Sequence, residues 1–111
     1  MMLLTDKQVR EKLVTRGAQE LTDAELLSVL LQKGEAGGSA LELSEALLAA
    51  YGGDLTAIAQ ESVIRLRSVV RLGVTRAAFV SAALELGRRC RAAESQVKDT
   101  IMTDRDVIEI F

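Results

Sequence analysis

Helix-start and helix-stop signals recur through most of this 111-residue chain, proline is absent altogether, and strand signals are nearly missing. That punctuation confines the fold to short helices packed on one another. Thr22 to Glu25 (TDAE) and Ser39 to Glu42 (SALE) match the capping box, in which a hydroxyl and a carboxylate three residues apart satisfy open amides at a helix start. Each is followed by apolar residues at helical spacing: Leu27, Leu30 and Leu31, then Leu43, Leu47 and Tyr51. Gly17, Gly34 and Gly52 stand where a helix usually ends on a left-handed residue. The expected helices are therefore 6–16, 23–33 and 40–51, with a further short one from GGD (52–54) through Ala59. The expected fold class is all-α, a small bundle of about five to six short helices. Its core is aliphatic, because 49% of residues are hydrophobic but only three are aromatic.

Charge singles out one segment of that bundle. The chain carries a net −2, yet between Glu61 and Ala93 seven arginines (65, 67, 71, 76, 88, 89 and 91) face only Glu61 and Glu85, a local +5. Residues 1–60 and 94–111 are both acidic, at −4 and −3. Within the cationic segment two helical patterns meet at RLGVTR. Ser62 is placed to cap a first helix running to about Val69, and Thr75 a second running toward Cys90, with Gly73 in the turn between them.

That layout suits phosphate. The first amides of a helix have no intrahelical acceptor, the helix dipole adds partial positive charge there, and a glycine lets backbone approach closely. Arg76 falls in the second helix's first turn, where a cation opposes the dipole unless an anion lies near. Arginine at all seven positions fits too, since the guanidinium fork matches phosphate oxygens. The structural alternative makes Gly73 a plain turn and the arginines a solvated face, with Phe79, Val80, Ala83, Leu84, Leu86 and Gly87 packed inward.

Other chemistries find little support in the residues. There is no histidine, and Cys90 is single, so neither an internal disulfide nor a thiolate–imidazole pair can form and Cys90 reads as a packing residue. No acidic pair or metal-ligand spacing stands out, so no enzyme, metal or cofactor is expected in these residues. No run approaches the length needed to cross a membrane, and MMLLTDKQVR has charges too early for a secretory signal, which makes a cytoplasmic protein the expectation. After Arg89 the periodicity loosens through RAAESQVKDTI, then resumes in TDRDVIEIF. The expected division is a helical domain over 1–91, its hairpin at about 62–90, and a linker with the start of a second, truncated domain over 92–111.

REKL with RGA (10–13 and 16–18), LTDAELLSVLL (21–31), the glycine pair at 52 and 53, and AALELGRR (82–89) together resemble the amino-terminal half of RadC-like proteins across residues 6–91. The resemblance implies a helical domain with a helix-hairpin-helix motif, which in whole members precedes a JAB/MPN-type domain bearing a histidine- and aspartate-bound metal. With no histidine in this chain, that metal site lies outside it. Family hairpins read glycine, hydrophobic, glycine; here the positions hold Arg71, Leu72 and Gly73, so the first glycine is lost. If that position is left-handed, its side chain costs roughly 1–2 kcal/mol. Arg76 stands where such hairpins often carry lysine, while Val74 and Thr75 replace small residues or proline.

Two functions follow from these residues. In the first, the chain is a module that binds duplex or branched DNA through phosphates, without base readout, using Gly73 and Val74 amides with Arg71, Thr75 and Arg76, and Arg65 and Arg67 as auxiliaries. In the second, it is a protein-interaction or scaffolding domain whose hairpin is degenerate and whose partner is another protein or the JAB/MPN domain in cis. A continuous arginine face favours the first and dispersed arginines the second.

Overall fold

A computed structural model describes residues 4–32 and 39–99, with side chains as far as residue 95, and within them every regular element is helical. The α-helices are α1 (Asp6–Arg16), α2 (Asp23–Leu31), α3 (Ala40–Ala50), α4 (Leu55–Gln60), α5 (Val63–Leu66) and α6 (Val74–Asp99). Single 3₁₀ turns at Ala18–Glu20 and Val69–Arg71 join α1 to α2 and α5 to α6. The helical bundle read from the sequence is thus the observed fold.

Local chemistry accounts for most of the boundaries. Thr22 accepts from the Glu25 amide at 3.1 Å while the Glu25 carboxylate accepts from the Thr22 amide at 2.9 Å, a complete capping box. Thr5 and Gln8 form a second one at the start of α1, at 2.9 and 3.1 Å. Ser39 accepts from the Leu41 and Glu42 amides, Asp54 from Thr56, and Ser62 from Arg65. Helix α3 ends in the Gly52–Gly53 turn, both at positive φ (+65° and +78°), which lets the Gly53 amide return to the Leu48 carbonyl at 2.7 Å. Helix α2 ends at Leu31 with Gln32 as its cap, and the stop expected at Gly34 lies outside the described residues.

The core has two connected parts. Leu27 and Leu31 of α2, Leu47 of α3, Ile58 of α4, Leu66 of α5, and Leu72, Ala77 and Val80 around the start of α6 are all buried together. Val9, Leu21, Ala24 and Leu41 form a smaller cluster where α1 crosses α2 and α3. Polar ties lock that corner: the Asp6 carboxylate accepts from the Ala40 amide at 3.2 Å, at the open N-terminus of α3, and Gln32 donates to the Asp6 carbonyl at 3.2 Å. Lys12 bridges from α1 to Glu25 at 2.9 Å, so the carboxylate that caps α2 also neutralises a half-buried cation. Lys12, and next to it the Thr22 amide, hold the Glu25 carboxyl below its ordinary range despite burial, which pulls the other way.

Several expectations change on this scaffold. The first hairpin helix is one turn long, Val63–Leu66, rather than reaching Val69, because the chain breaks into a 3₁₀ turn. Helix α6 starts at Val74, with the Gly73 carbonyl accepting from the Ala77 amide at 3.0 Å, so Thr75 lies inside the first turn and does not cap it. The helix also continues to Asp99, through the stretch where hydrophobic periodicity loosens. Cys90 is exposed and is not a packing residue. Phe79, Leu86 and Gly87 do not pack inward either: a step of about 100° per residue turns Phe79 and Leu86 away from the face carrying Ala77, Val80 and Leu84. The TDRDVIEIF segment and the GEAGG loop lie outside the described residues.

Candidate nucleic-acid interface

The hairpin runs from Glu61 through α5 and the 3₁₀ turn into α6. Glu61 is pinned at its entrance: Tyr51 donates its hydroxyl to Glu61 Oε2 at 2.9 Å. Burial, and then that carboxylate, push the Tyr51 phenol pKa up, while the nearby Arg65 charge pulls it down. Below this anchor Leu66 and Leu72 are fully buried on either side of the turn, and the requirement to bury both sets the path between them.

That path is strained. Val70 has φ +46° and ψ +30°, Arg71 φ +57°, and Gly73 φ +87°. Left-handed backbone is inexpensive for glycine, but for a β-branched valine it is a conformational outlier. The position where family hairpins keep a glycine is therefore left-handed here despite its arginine side chain. Val70 is half-buried against the main core, which gives the structure a reason to hold the turn in place. No local sequence signal marks Val70, since valine ordinarily argues against such a conformation.

The turn decides which amides are open. The Gly73 amide, expected to face phosphate, instead donates to the Arg67 carbonyl at 2.9 Å and closes the loop, and the Leu72 amide donates to Val69 at 2.9 Å. Ala77 is the first α6 residue whose amide bonds back by four, and Val74 and Thr75 before it carry amides without an intrahelical acceptor. Gly73 is exposed, and apart from its own and its two chain neighbours' atoms none comes within 4 Å of where its Cβ would be, so an approaching backbone meets open space there.

The arginines do not form one face. Arg65, Arg67 and Arg71 are exposed around the hairpin. Arg76 is half-buried, and its Nε donates at 3.2 Å to the carbonyl of Leu31, the last residue of α2. That bond supplies a cation to a helix C-terminus and gives Arg76 a packing role which the sequence reading assigned to an anion. Arg88 and Arg89 converge on Glu85, at 2.9 and 2.8 Å, and pull its carboxyl pKa down to about 2, Arg88 contributing most. Those two, with Arg91, stand roughly 20 Å along α6 from the hairpin turn at 1.5 Å rise per residue. The cationic segment thus divides into a hairpin group and a tail group.

Among the described residues no cluster of three or more His, Cys, Asp or Glu side chains is placed to hold a metal, and no helix is long and apolar enough to cross a membrane.

The family model described as UPF0758 N-terminal matches residues 2–78, which ends just after the hairpin. The chain belongs to the UPF0758 family. This is the RadC-like family whose motifs the sequence carries. A UPF0758 protein from Trichlorobacter lovleyi is 37% identical over 108 residues, covering 96% of this chain and 47% of that protein. Another, from Thioalkalivibrio sulfidiphilus, is 40% identical over 101 residues, 91% of this chain and 44% of its own length. A third, from Alcanivorax borkumensis, is 46% identical over 84 residues, 76% of this chain and 37% of its own. The chain spans about half the length of the curated relatives it matches or somewhat less. No solved structure matches it.

Proposed function

We propose that this UPF0758 domain is a DNA-binding module that holds the phosphate backbone of duplex or branched DNA at the tip of its helical hairpin. The observation that supports this most is the strained turn: Val70 and Arg71 are both left-handed, and Gly73 follows them with open space at its Cα. Together they present the first amides of α6 beside an exposed arginine. In this reading the Val74 and Thr75 amides meet phosphate oxygens, Arg71 and the Thr75 hydroxyl flank them, and Arg65 and Arg67 are auxiliary. Gly73 contributes close approach rather than a donor, because its own amide is committed to Arg67.

Such contacts position a protein without reading sequence. A hairpin neutralising two or three phosphates belongs at the weak end of non-specific binding, about 10⁻⁴ M at physiological salt, with a log-log salt slope of roughly −2 to −3. The module would act in the cytoplasm as part of a larger protein, and any catalysis would belong to the portion of family members beyond this chain, for which the RadC-like resemblance implies a JAB/MPN-type domain. Fluorescence anisotropy of labelled duplex and branched DNA across a salt series tests the reading. Saturable binding that weakens with salt and is lost in Arg71→Glu supports it, and no binding at low salt and high micromolar protein removes it.

A second reading, a protein-interaction domain with a degenerate hairpin, is favoured by three observations, the first being that the arginines divide into two groups rather than forming one face. Arg76 bonds to the α2 carboxyl end, and the hairpin exposes apolar side chains, Ile64 at 71% and Val74 at 58%. It predicts that Ile64→Asp disrupts partner capture while DNA never binds.

A further inference from the structure

Helix α6 has two apolar faces, and only one of them is used. Ala77, Val80 and Leu84 pack into the core, after which the helix leaves the bundle: every residue from Leu86 to Ser95 is exposed. On the other side Phe79, Ala83, Leu86, Cys90 and Ala93 recur at steps of four and three, the d-a-d-a-d spacing of a coiled-coil seam. Phe79 is 39% exposed and Leu86 67%. A protruding helix of about fourteen residues is marginal on its own in water, so a packed neighbour would stabilise it.

We propose that this stripe is a self-association seam, along which α6 packs in parallel and in register against α6 of a second copy. Charge on the flanks selects that occupant and that direction. With Leu86 at d and Cys90 at a, Arg89 is a g residue and Glu94 the following e residue, the pair that faces across a parallel two-stranded interface. Arg89 uses Nε toward Glu85, and its guanidinium has two further nitrogens for Glu94 of the second copy. Antiparallel packing would oppose like flanks, setting Arg89 against Ala82, Arg89 or Gln96, none of them acidic. The seam is independent of the phosphate reading, but parallel pairing brings both hairpins to the same end of the assembly, where two weak sites gain from effective concentration.

Sedimentation equilibrium of the chain over a micromolar to millimolar range, joined to oxidative cross-linking, tests this. The mass should rise from 12.0 kDa toward twice that value, and Leu86→Glu should hold it at 12.0 kDa while the bundle stays folded, any loss of helical circular dichroism being confined to the α6 tail, since Leu86 is exposed. Cys90 should cross-link to its own counterpart, and so should Ala83→Cys in a Cys90→Ser background, because a parallel seam places every a position opposite itself. Both cross-links should fall with Leu86→Glu. A chain that stays at 12.0 kDa throughout, a dimer indifferent to Leu86→Glu, or self-cross-linking at only one of the two positions would overturn the proposal.

Discussion

Replacing Arg71 by glycine tests the strained turn at the centre of the hairpin. Arg71 has φ +57° and is exposed, so its side chain contributes little burial while its Cβ pays for the left-handed backbone. Relief of that strain is worth roughly 1–2 kcal/mol. Glycine also frees the unfolded chain, which costs about 0.4–1 kcal/mol. The difference is a net stabilisation of about 0–1.6 kcal/mol, and at its midpoint of about 0.8 kcal/mol a rise in Tm of roughly 3–6 °C at 4–8 °C per kcal/mol for a domain of this size. Thermal and urea unfolding followed by circular dichroism would measure it, with Arg71→Ala as the control that removes the guanidinium but keeps the Cβ. If alanine raises Tm as much as glycine, relief of charge repulsion is the cause. If glycine lowers stability, the turn is not strained as described. Val70→Gly is a poorer probe because Val70 also packs against the core.

Other perturbations separate the remaining parts of the account. Glu25→Ala removes the acceptor for both Lys12 and the Thr22 amide and should cost about 1–3 kcal/mol in urea unfolding. Because the folded Glu25 carboxyl lies below its ordinary value of 4.5, its contribution is fully present above that pH and lost as pH falls through the folded value; Glu25→Gln should flatten this part of the acid limb. Glu85 should titrate near 2 by carboxyl NMR, with α6 losing its Arg88 and Arg89 clasp between pH 4.5 and 2, and added salt should move the midpoint upward because the group is open to solvent; a midpoint at 4.5 in low salt contradicts the clasp. Among the described residues the Ser44 hydroxyl is buried without a hydrogen-bond partner, so Ser44→Ala should raise stability by about 1 kcal/mol, and a loss would mean the hydroxyl is satisfied in solution.

What the sequence revealed follows the range of the interactions involved. Caps are local, so the Thr22–Glu25 box, Ser39, Asp54 and Ser62 could be placed from neighbouring residues alone, and the Thr5–Gln8 box carried the same signal. Arg76 could not be read that way: its acceptor is the Leu31 carbonyl, 45 residues distant, and only packing brings the two together. The continuation of α6 beyond Cys90 was not legible because apolar residues thin out after Ala93 and leave little helical periodicity to read. The left-handed Val70 was hidden for the opposite reason, since its residue type argues against the conformation that tertiary packing imposes. At the hairpin the turn at Gly73 was legible, but the commitment of the Gly73 amide to the Arg67 carbonyl was not, because it depends on the left-handed residues between them.

Amide chemical-shift mapping of ¹⁵N-labelled protein titrated with a short DNA duplex tests the central claim most directly. The largest shifts are expected on the Val74 and Thr75 amides and on the Arg71 guanidinium, with Gly73 moving less and the shifts reversing with salt. Shifts centred on the α6 tail at Arg88, Arg89 and Arg91, or no shifts at all, would contradict the assignment of the hairpin tip as the phosphate site.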